Sequence, residues 1–230
     1  MQAPLSLADP PLGLHLWCWP LDVEAPATML DEREIGRSSH LAFARDRRYY
    51  VAAHAGLRSV LATEAGWPAK CAFEEGLHGK PALPAGYGLG FNLSHSGGWA
   101  LLATRHGAEV GADIELMREV PDLALLAREH LSGAERQALA AHGGRAASHD
   151  FLVAWTRKEA CLKALGVGVG SVALNKVDAG VGPERREVGV RVDSRRWAVE
   201  VATVIPGPGL IGAVAVVGGF VREAVLDHAG

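Results

Sequence analysis

Apolar and polar residues alternate through LHLWCWPL (14–21), which predicts a strand ended by Pro20. After a charged stretch, Tyr50, His54, Leu57 and Leu61 recur at helical spacing and predict a helix over roughly 44–63. Its polar side carries Arg45, Arg47, Arg48 and Arg58. GKPALPAGYGLG (79–90) is dense in glycine and proline and reads as a loop. A short strand over 90–93, a Ser-His-Ser-Gly-Gly turn and a strand over 98–104 follow, and VGADIE (110–115) reads as a further strand. One helix opens near Pro121 and closes near Leu131, and Ser132, three residues before Glu135, forms a capping box that opens another. GGRAASHD (143–150) reads as an exposed loop ahead of a helix over 149–165. After Gly166 the pattern turns to strands near 172–178, 186–193, 196–205 and 210–219. Helices and strands are interspersed, so the class is α/β or α+β, with antiparallel pairing towards the C-terminal end.

With 230 residues, 49% of them hydrophobic and 21% charged, the chain can bury a proper core as one large domain or two small ones. A net charge of −3 disfavours a general nucleic-acid binder. Cys18, Cys71 and Cys161 are odd in number, widely spaced and outside any CxxC or Cys/His cluster. That fits a reducing cytoplasm and neither a disulfide framework nor a zinc site. The opening MQAPLSLADPPLG has no basic segment leading into an apolar run, so no signal peptide is expected. LIGAVAVVGGF (210–220) is too short and too glycine-rich for a membrane span, and a buried strand is the better reading.

Candidate chemistry concentrates in three places. Asp113 and Glu115 lie two apart on a predicted strand, which puts both carboxylates on one face. Such a pair is either a solvated strand edge or a set of hard oxygen ligands suited to Mg2+ or Ca2+. In WTRKEACLKALG (155–166), Trp155, Glu159 and Lys163 follow at i, i+4 and i+8 and share a helical stripe. A Glu–Lys pair at that spacing is an ordinary stabiliser worth about 0.2–0.5 kcal/mol. Trp155 on the same stripe argues for a position at the edge of a core, where an unpaired charge is costly. Glu159 would then be a third carboxylate beside Asp113 and Glu115, with Lys158 and Lys163 facing an anionic ligand. Ser94 and His95 sit between two strands, where they are a hairpin, a Ser-His pair or donors to a phosphate. Adjacent strand residues point to opposite faces and no GxSxG elbow is present, which weighs against the catalytic pair. Neither a P-loop nor a GxGxxG dinucleotide fingerprint occurs. His40, His54, His106, His142 and His149 have no ligand spacing and read as surface or packing residues.

Taken in order, GKPALP, FNLSHSGGWALLA, VGADIE and WTRKEACLKALG resemble the 4′-phosphopantetheinyl transferases, specifically their long, surfactin-type class. The likeness spans roughly residues 45–178. It implies an α+β fold of two similar halves about a pseudo-twofold axis, residues 1–108 and 109–230, with the cofactor cleft between them. It implies a Mg2+-dependent transfer of the phosphopantetheine arm of coenzyme A to a serine of an acyl or peptidyl carrier protein, an acidic helical domain, with release of 3′,5′-ADP. By the same likeness Asp113, Glu115 and Glu159 bind Mg2+, and Lys163 contacts phosphate with Lys158 beside it. Lys80, Pro81, Ser94 and His95 grip coenzyme A, His95 near the 3′-phosphate. Glu159, directly or through a water, is the candidate base. Where the family often has an arginine this chain has Tyr49 or a neighbour, so Arg45 or Arg48 would take over that contact, and Arg33 and Arg37 would reach the 3′-phosphate. Leu116, Met117, Leu123, Leu125 and Leu126 are core residues or part of the carrier's docking surface. The class is expected to be a cytoplasmic monomer. The rival readings are a Mg2+-dependent phosphohydrolase or nucleotidyltransferase, and a non-catalytic binder of coenzyme A or a carrier domain.

Overall fold

The computed structural model describes residues 4–76 and 79–220, so the first three residues of the opening segment lie outside it. Two four-stranded antiparallel sheets divide the chain. The first has the order β1-β2-β6-β5, from Leu5–Ser6 (β1), His15–Pro20 (β2), Leu89–Ser96 (β5) and Trp99–His106 (β6). The second has the order β7-β10-β9-β8, from Val110–Leu116 (β7), Arg186–Val192 (β8), Arg195–Val204 (β9) and Leu210–Phe220 (β10). A two-residue pair, Glu74–Glu75 (β3) with Pro81–Ala82 (β4), lies in the loop between. The helices are Glu32–Ser39 (α1), Ala44–Ala65 (α2), Leu123–His130 (α3), Gly133–Ala140 (α4) and Gly144–Ala164 (α5).

Each sheet is covered by one long helix. Trp19, Leu102 and Phe91 of the first sheet pack with Ala53, Leu57 and Leu61 of α2. Val188, Val199 and Ala213 of the second pack with Ala160, Cys161 and Ala164 of α5. Between the sheets, Leu14, Leu16 and Leu101 meet Ala112, Ile114 and Val214 in a shared apolar layer.

A short helix precedes each long one and opens with a capping box whose glutamate does a second job. Glu34 of α1 accepts from Arg58 Nε of α2 at 2.7 Å, and Asp31 accepts from Arg58 Nη2 at 2.9 Å. Glu135 of α4 pairs with Lys158 Nζ of α5 at 2.6 Å and accepts from the backbone N–H groups of Ala179 and Gly180. Both cations are fully buried. Burying a charge is tolerated only with such partners.

The expected helix over 44–63 is α2, and the expected helices after Pro121 and Ser132 are α3 and α4. Three segments differ from expectation. Residues 143–150 form no loop, because α5 starts at Gly144 and buries Ala147 and Ser148, whose Oγ accepts from Val120 N. Residues 172–178 form a single 3-10 turn, Leu174–Lys176, instead of a strand. The carbonyls of Leu174 and Val177 are taken by Lys158 Nζ, at 2.8 and 2.6 Å, so they are not offered to a neighbouring strand. The turn after Leu93 is shorter than expected. Ser94, His95 and Ser96 remain in β5, and Gly97 and Gly98, with φ of +57° and +81°, make the two-residue hairpin turn that glycine favours.

Candidate functional site

The site forms where the two sheets adjoin. β5 is an edge strand of the first sheet and β7 an edge strand of the second. Among the described residues no backbone ladder joins them. Side chains do so instead: Asn92 Oδ1 accepts from Ala112 N at 2.8 Å, Ser94 Oγ donates to Asp113 Oδ1 at 2.9 Å, and Ser96 Oγ donates to Glu115 Oε2 at 2.8 Å.

α5 lies against β7 at unusually close range because residue 111 is glycine. A Cβ there would stand 2.0 Å from the Ala160 carbonyl oxygen. Any side chain would push the helix away, and with it the two polar residues that face β7. Between residues 151 and 165 only Trp155, Glu159 and Lys163 are half-exposed; every other residue is buried. The predicted stripe is therefore the one open face of this part of the helix. Lys163 Nζ reaches Asp113 Oδ1 at 2.6 Å and Ser94 Oγ at 3.1 Å.

The electrostatics are unbalanced. Burial pushes the Asp113 carboxyl above its usual range, against the pull of Lys163 and the Ser94 hydroxyl. Burial pushes Glu159 up to about 7, with Asp113 and Glu115 adding to the shift and Lys163 opposing it. Asp113 Oδ2 is buried with no hydrogen-bond partner, a condition that ordinarily costs stability. Lys163 pairs with Asp113 and opposes the shift of Glu159, while Glu115 adds to that shift. Among the described residues no group of three or more His, Cys, Asp or Glu converges as a finished metal centre. The charge balance, the orphaned oxygen and the all-oxygen donor set nevertheless suit a hard divalent cation.

Beside this cluster a cleft of about 580 Å3 is lined by Arg37, Asp46, Tyr49, Tyr50, His54, Pro81 and His95, over apolar walls from Leu57, Phe91 and Leu93. His95 connects the two regions. The residue is exposed at the cleft, and its imidazole lies below its usual pKa through partial desolvation by the surrounding walls first, then through His54 on the cleft side and Lys163 on the carboxylate side.

The remaining sequence candidates divide. Pro81, His95, Arg37 and Tyr49 line the cleft. Lys80 lines a neighbouring one, its Nζ donating to Glu109 Oε2 at 2.9 Å and to the Val110 carbonyl at 2.8 Å. Ser94 is committed to Asp113 and Lys163. Arg48 is exposed and pairs with Asp22 at 2.7 Å, and Arg45 lies over the Tyr49 ring. Lys158 is not brought to the carboxylates at all. It is one residue from Glu159, about 100° around the helix, and that turn carries it into the core with Glu135. Arg157 goes the same way, donating to the carbonyls of Ala179, Gly182 and Glu184. Of the three cations in WTRKEACLKALG, two therefore fasten the 174–184 segment to α5 and one serves the site. Sequence reasoning passed over Asn92 and Ser96; their spacing with Ser94, at i, i+2 and i+4 on one strand face, was the available signal.

A family model described as "4′-phosphopantetheinyl transferase superfamily" matches residues 109–199, which contain all three carboxylates and Lys163. The 4′-phosphopantetheinyl transferase HetI of Nostoc sp. is 32% identical over 214 residues, covering 89% of this chain and 88% of that protein. The 4′-phosphopantetheinyl transferase AcpT of Salmonella typhi is 41% identical over 91 residues, 40% of this chain and 47% of its own length. A 4′-phosphopantetheinyl transferase of Bacillus subtilis is 33% identical over 102 residues, 44% of each chain. The chain is an enzyme belonging to the 4′-phosphopantetheinyl transferase superfamily.

Proposed function

We propose that this enzyme transfers the 4′-phosphopantetheine arm of coenzyme A to a serine hydroxyl of an acyl or peptidyl carrier protein, in a Mg2+-dependent reaction that releases adenosine 3′,5′-bisphosphate. The observation that carries this reading is the pairing of Lys163 with Asp113, with Glu159 within electrostatic reach of Asp113, Glu115 and Lys163, beside a cleft walled by Arg37 and His95.

Asp113, Glu115 and Glu159 would hold Mg2+, which supplies charge neutralisation at the pyrophosphate oxygens. The Lys163 ammonium, on the same face, holds a phosphate oxygen. The cleft takes the nucleotide end of coenzyme A, with His95 and Arg37 placed for its 3′-phosphate. Glu159, on the open stripe of α5 beside Lys163, accepts the proton of the carrier serine, directly or through a water. The serine oxygen forms a bond to the phosphorus on the pantetheine side. The bond from that phosphorus to the bridging oxygen breaks, and the bisphosphate leaves with the electron pair.

Three features support two similar halves, 1–108 and 109–230, related by a pseudo-twofold axis and typical of the long, surfactin-type class. In each sheet the last strand in sequence pairs with an early one, β6 with β2 and β10 with β7. Each has a short capped helix followed by a long one. Each joins the capping-box glutamate to a buried cation of the long helix, Glu34 to Arg58 and Glu135 to Lys158. Leu116, next to Glu115, and Leu125 are exposed and suit the apolar face of a carrier domain, whereas Met117, Leu123 and Leu126 pack on the core. Among the described residues no helix is long and apolar enough to cross a membrane. We place the enzyme in the cytoplasm as a monomer.

Chromatographic detection of adenosine 3′,5′-bisphosphate separates this reading from its rivals. It should appear only when the enzyme, coenzyme A, Mg2+ and an apo carrier protein are all present. Release without the carrier would favour a hydrolase. Coenzyme A binding with no release in any mixture would favour a non-catalytic binder.

A further inference from the structure

The side-chain zipper between β5 and β7 does more than hold two sheets together. Asn92, Ser94 and Ser96 meet Ala112, Asp113 and Glu115 in ascending order on both strands, so the edges run in the same direction. A backbone ladder in this position would join the sheets equally well but would leave the carboxylates to choose their own rotamers. The zipper instead places one hydroxyl on one oxygen of each carboxylate: Ser94 on Asp113 Oδ1, Ser96 on Glu115 Oε2. The other oxygen of Asp113 stays buried and unpartnered. A hydroxyl that donates to a carboxylate fixes its orientation, as partners of metal ligands commonly do.

We infer that Ser96 is a positioning residue for Glu115, acting with Ser94 on Asp113. The hydroxyls of the β5 edge decide which carboxylate oxygens of the β7 edge are presented to a divalent cation. Cation affinity is then a property of the junction between the two sheets, with Asn92 setting its register through Ala112 N. This inference rests on reading Asp113, Glu115 and Glu159 as a Mg2+ site.

Serine suits the task because it is small, uncharged and a single donor. A lysine at residue 96 would neutralise Glu115 and compete with the cation. Ser94 is less informative as a test because it also accepts from Lys163, so its removal disturbs two groups at once. Ser96 has no such second role among the bonds described.

The test is a titration of the full-length protein with Mn2+, followed by electron paramagnetic resonance of the free ion. Ser96→Ala should bind Mn2+ about 10-fold more weakly than the wild type, and Ser96→Thr, which keeps the hydroxyl, should bind close to wild type. The Mg2+ concentration for half-maximal transfer should rise by the same factor in Ser96→Ala, with the melting temperature and the KM for coenzyme A unchanged. Mn2+ affinity in Ser96→Ala equal to wild type, with Asp113→Ala abolishing binding, would overturn the role of Ser96 and leave the metal site standing. Mn2+ binding that Asp113→Ala does not alter, or no binding by the wild type, would overturn the metal site and the role of Ser96 with it.

Discussion

Glu159→Gln lowers kcat by about 10²–10⁴-fold, the range that removal of a positioned general base produces. The substitution keeps the shape of the side chain on the single open stripe of α5 and removes both its charge and its ability to take a proton. Glu159 is placed for that task by geometry, half-exposed on the same helical stripe as Lys163, whose ammonium reaches Asp113. The KM for coenzyme A should change far less, because the cleft lined by His95 and Arg37 is not touched. Steady-state kinetics at saturating Mg2+ measure both. Near-normal turnover would remove Glu159 from the proton transfer and leave it at most a ligand.

Lys158→Met should cost about 3–5 kcal/mol of stability, the usual result of stripping one partner from a buried ion pair. At about 2–4 °C per kcal/mol for a chain of this size, melting should fall by roughly 6–20 °C. The loss is large because the Glu135 carboxylate, 2% exposed, would be left beside the apolar core. The Leu174, Val177 and His130 carbonyls would lose their donor as well. Burial already holds the Lys158 ammonium below its usual pKa, with Glu135 pulling it back. Glu135→Gln in the same chain should recover part of the loss. Glutamine leaves no bare charge, and its one amide oxygen can still accept from Ala179 N and Gly180 N, although its NH2 cannot replace the oxygen that accepts from Ser132 N. Thermal unfolding of the single and double variants measures the coupling. At a temperature where Lys158→Met remains folded its kcat should stay near wild type. A variant with unchanged melting and abolished turnover would put Lys158 back in the catalytic site. The counterpart pair Glu34–Arg58, joined by Asp31, links α1 to α2 in the same way.

The parts of the site that lie on one element were legible in the sequence. Asp113 and Glu115 share a face because strands have a period of two, and Glu159 and Lys163 share one because helices repeat every 3.6 residues. What was not legible depends on what the element packs against. Lys158 sits four residues after Ala154 and four before Leu162, both buried, yet a lysine there reads as surface until Glu135 is brought to it by the capping box of α4. Residues 143–150 lack an apolar period and open with two glycines, so they read as a loop; tertiary burial of Ala147 and Ser148 makes 144–150 helix. Val172 and Val177 look like strand residues because both are apolar and β-branched, but they dock on the core of the second sheet while the intervening carbonyls go to Lys158. The close approach of α5 to β7 was written in a single glycine, Gly111, whose meaning appears only when the Ala160 carbonyl is seen against it.

The most direct test of Mg2+-dependent phosphopantetheine transfer is intact-mass spectrometry of an apo carrier protein incubated with this enzyme and coenzyme A. The account predicts that the carrier gains the mass of one phosphopantetheine arm in Mg2+, and gains nothing in EDTA or when its acceptor serine is replaced by alanine. A carrier left unmodified by an enzyme that binds coenzyme A, or a gain that persists in EDTA, would contradict it.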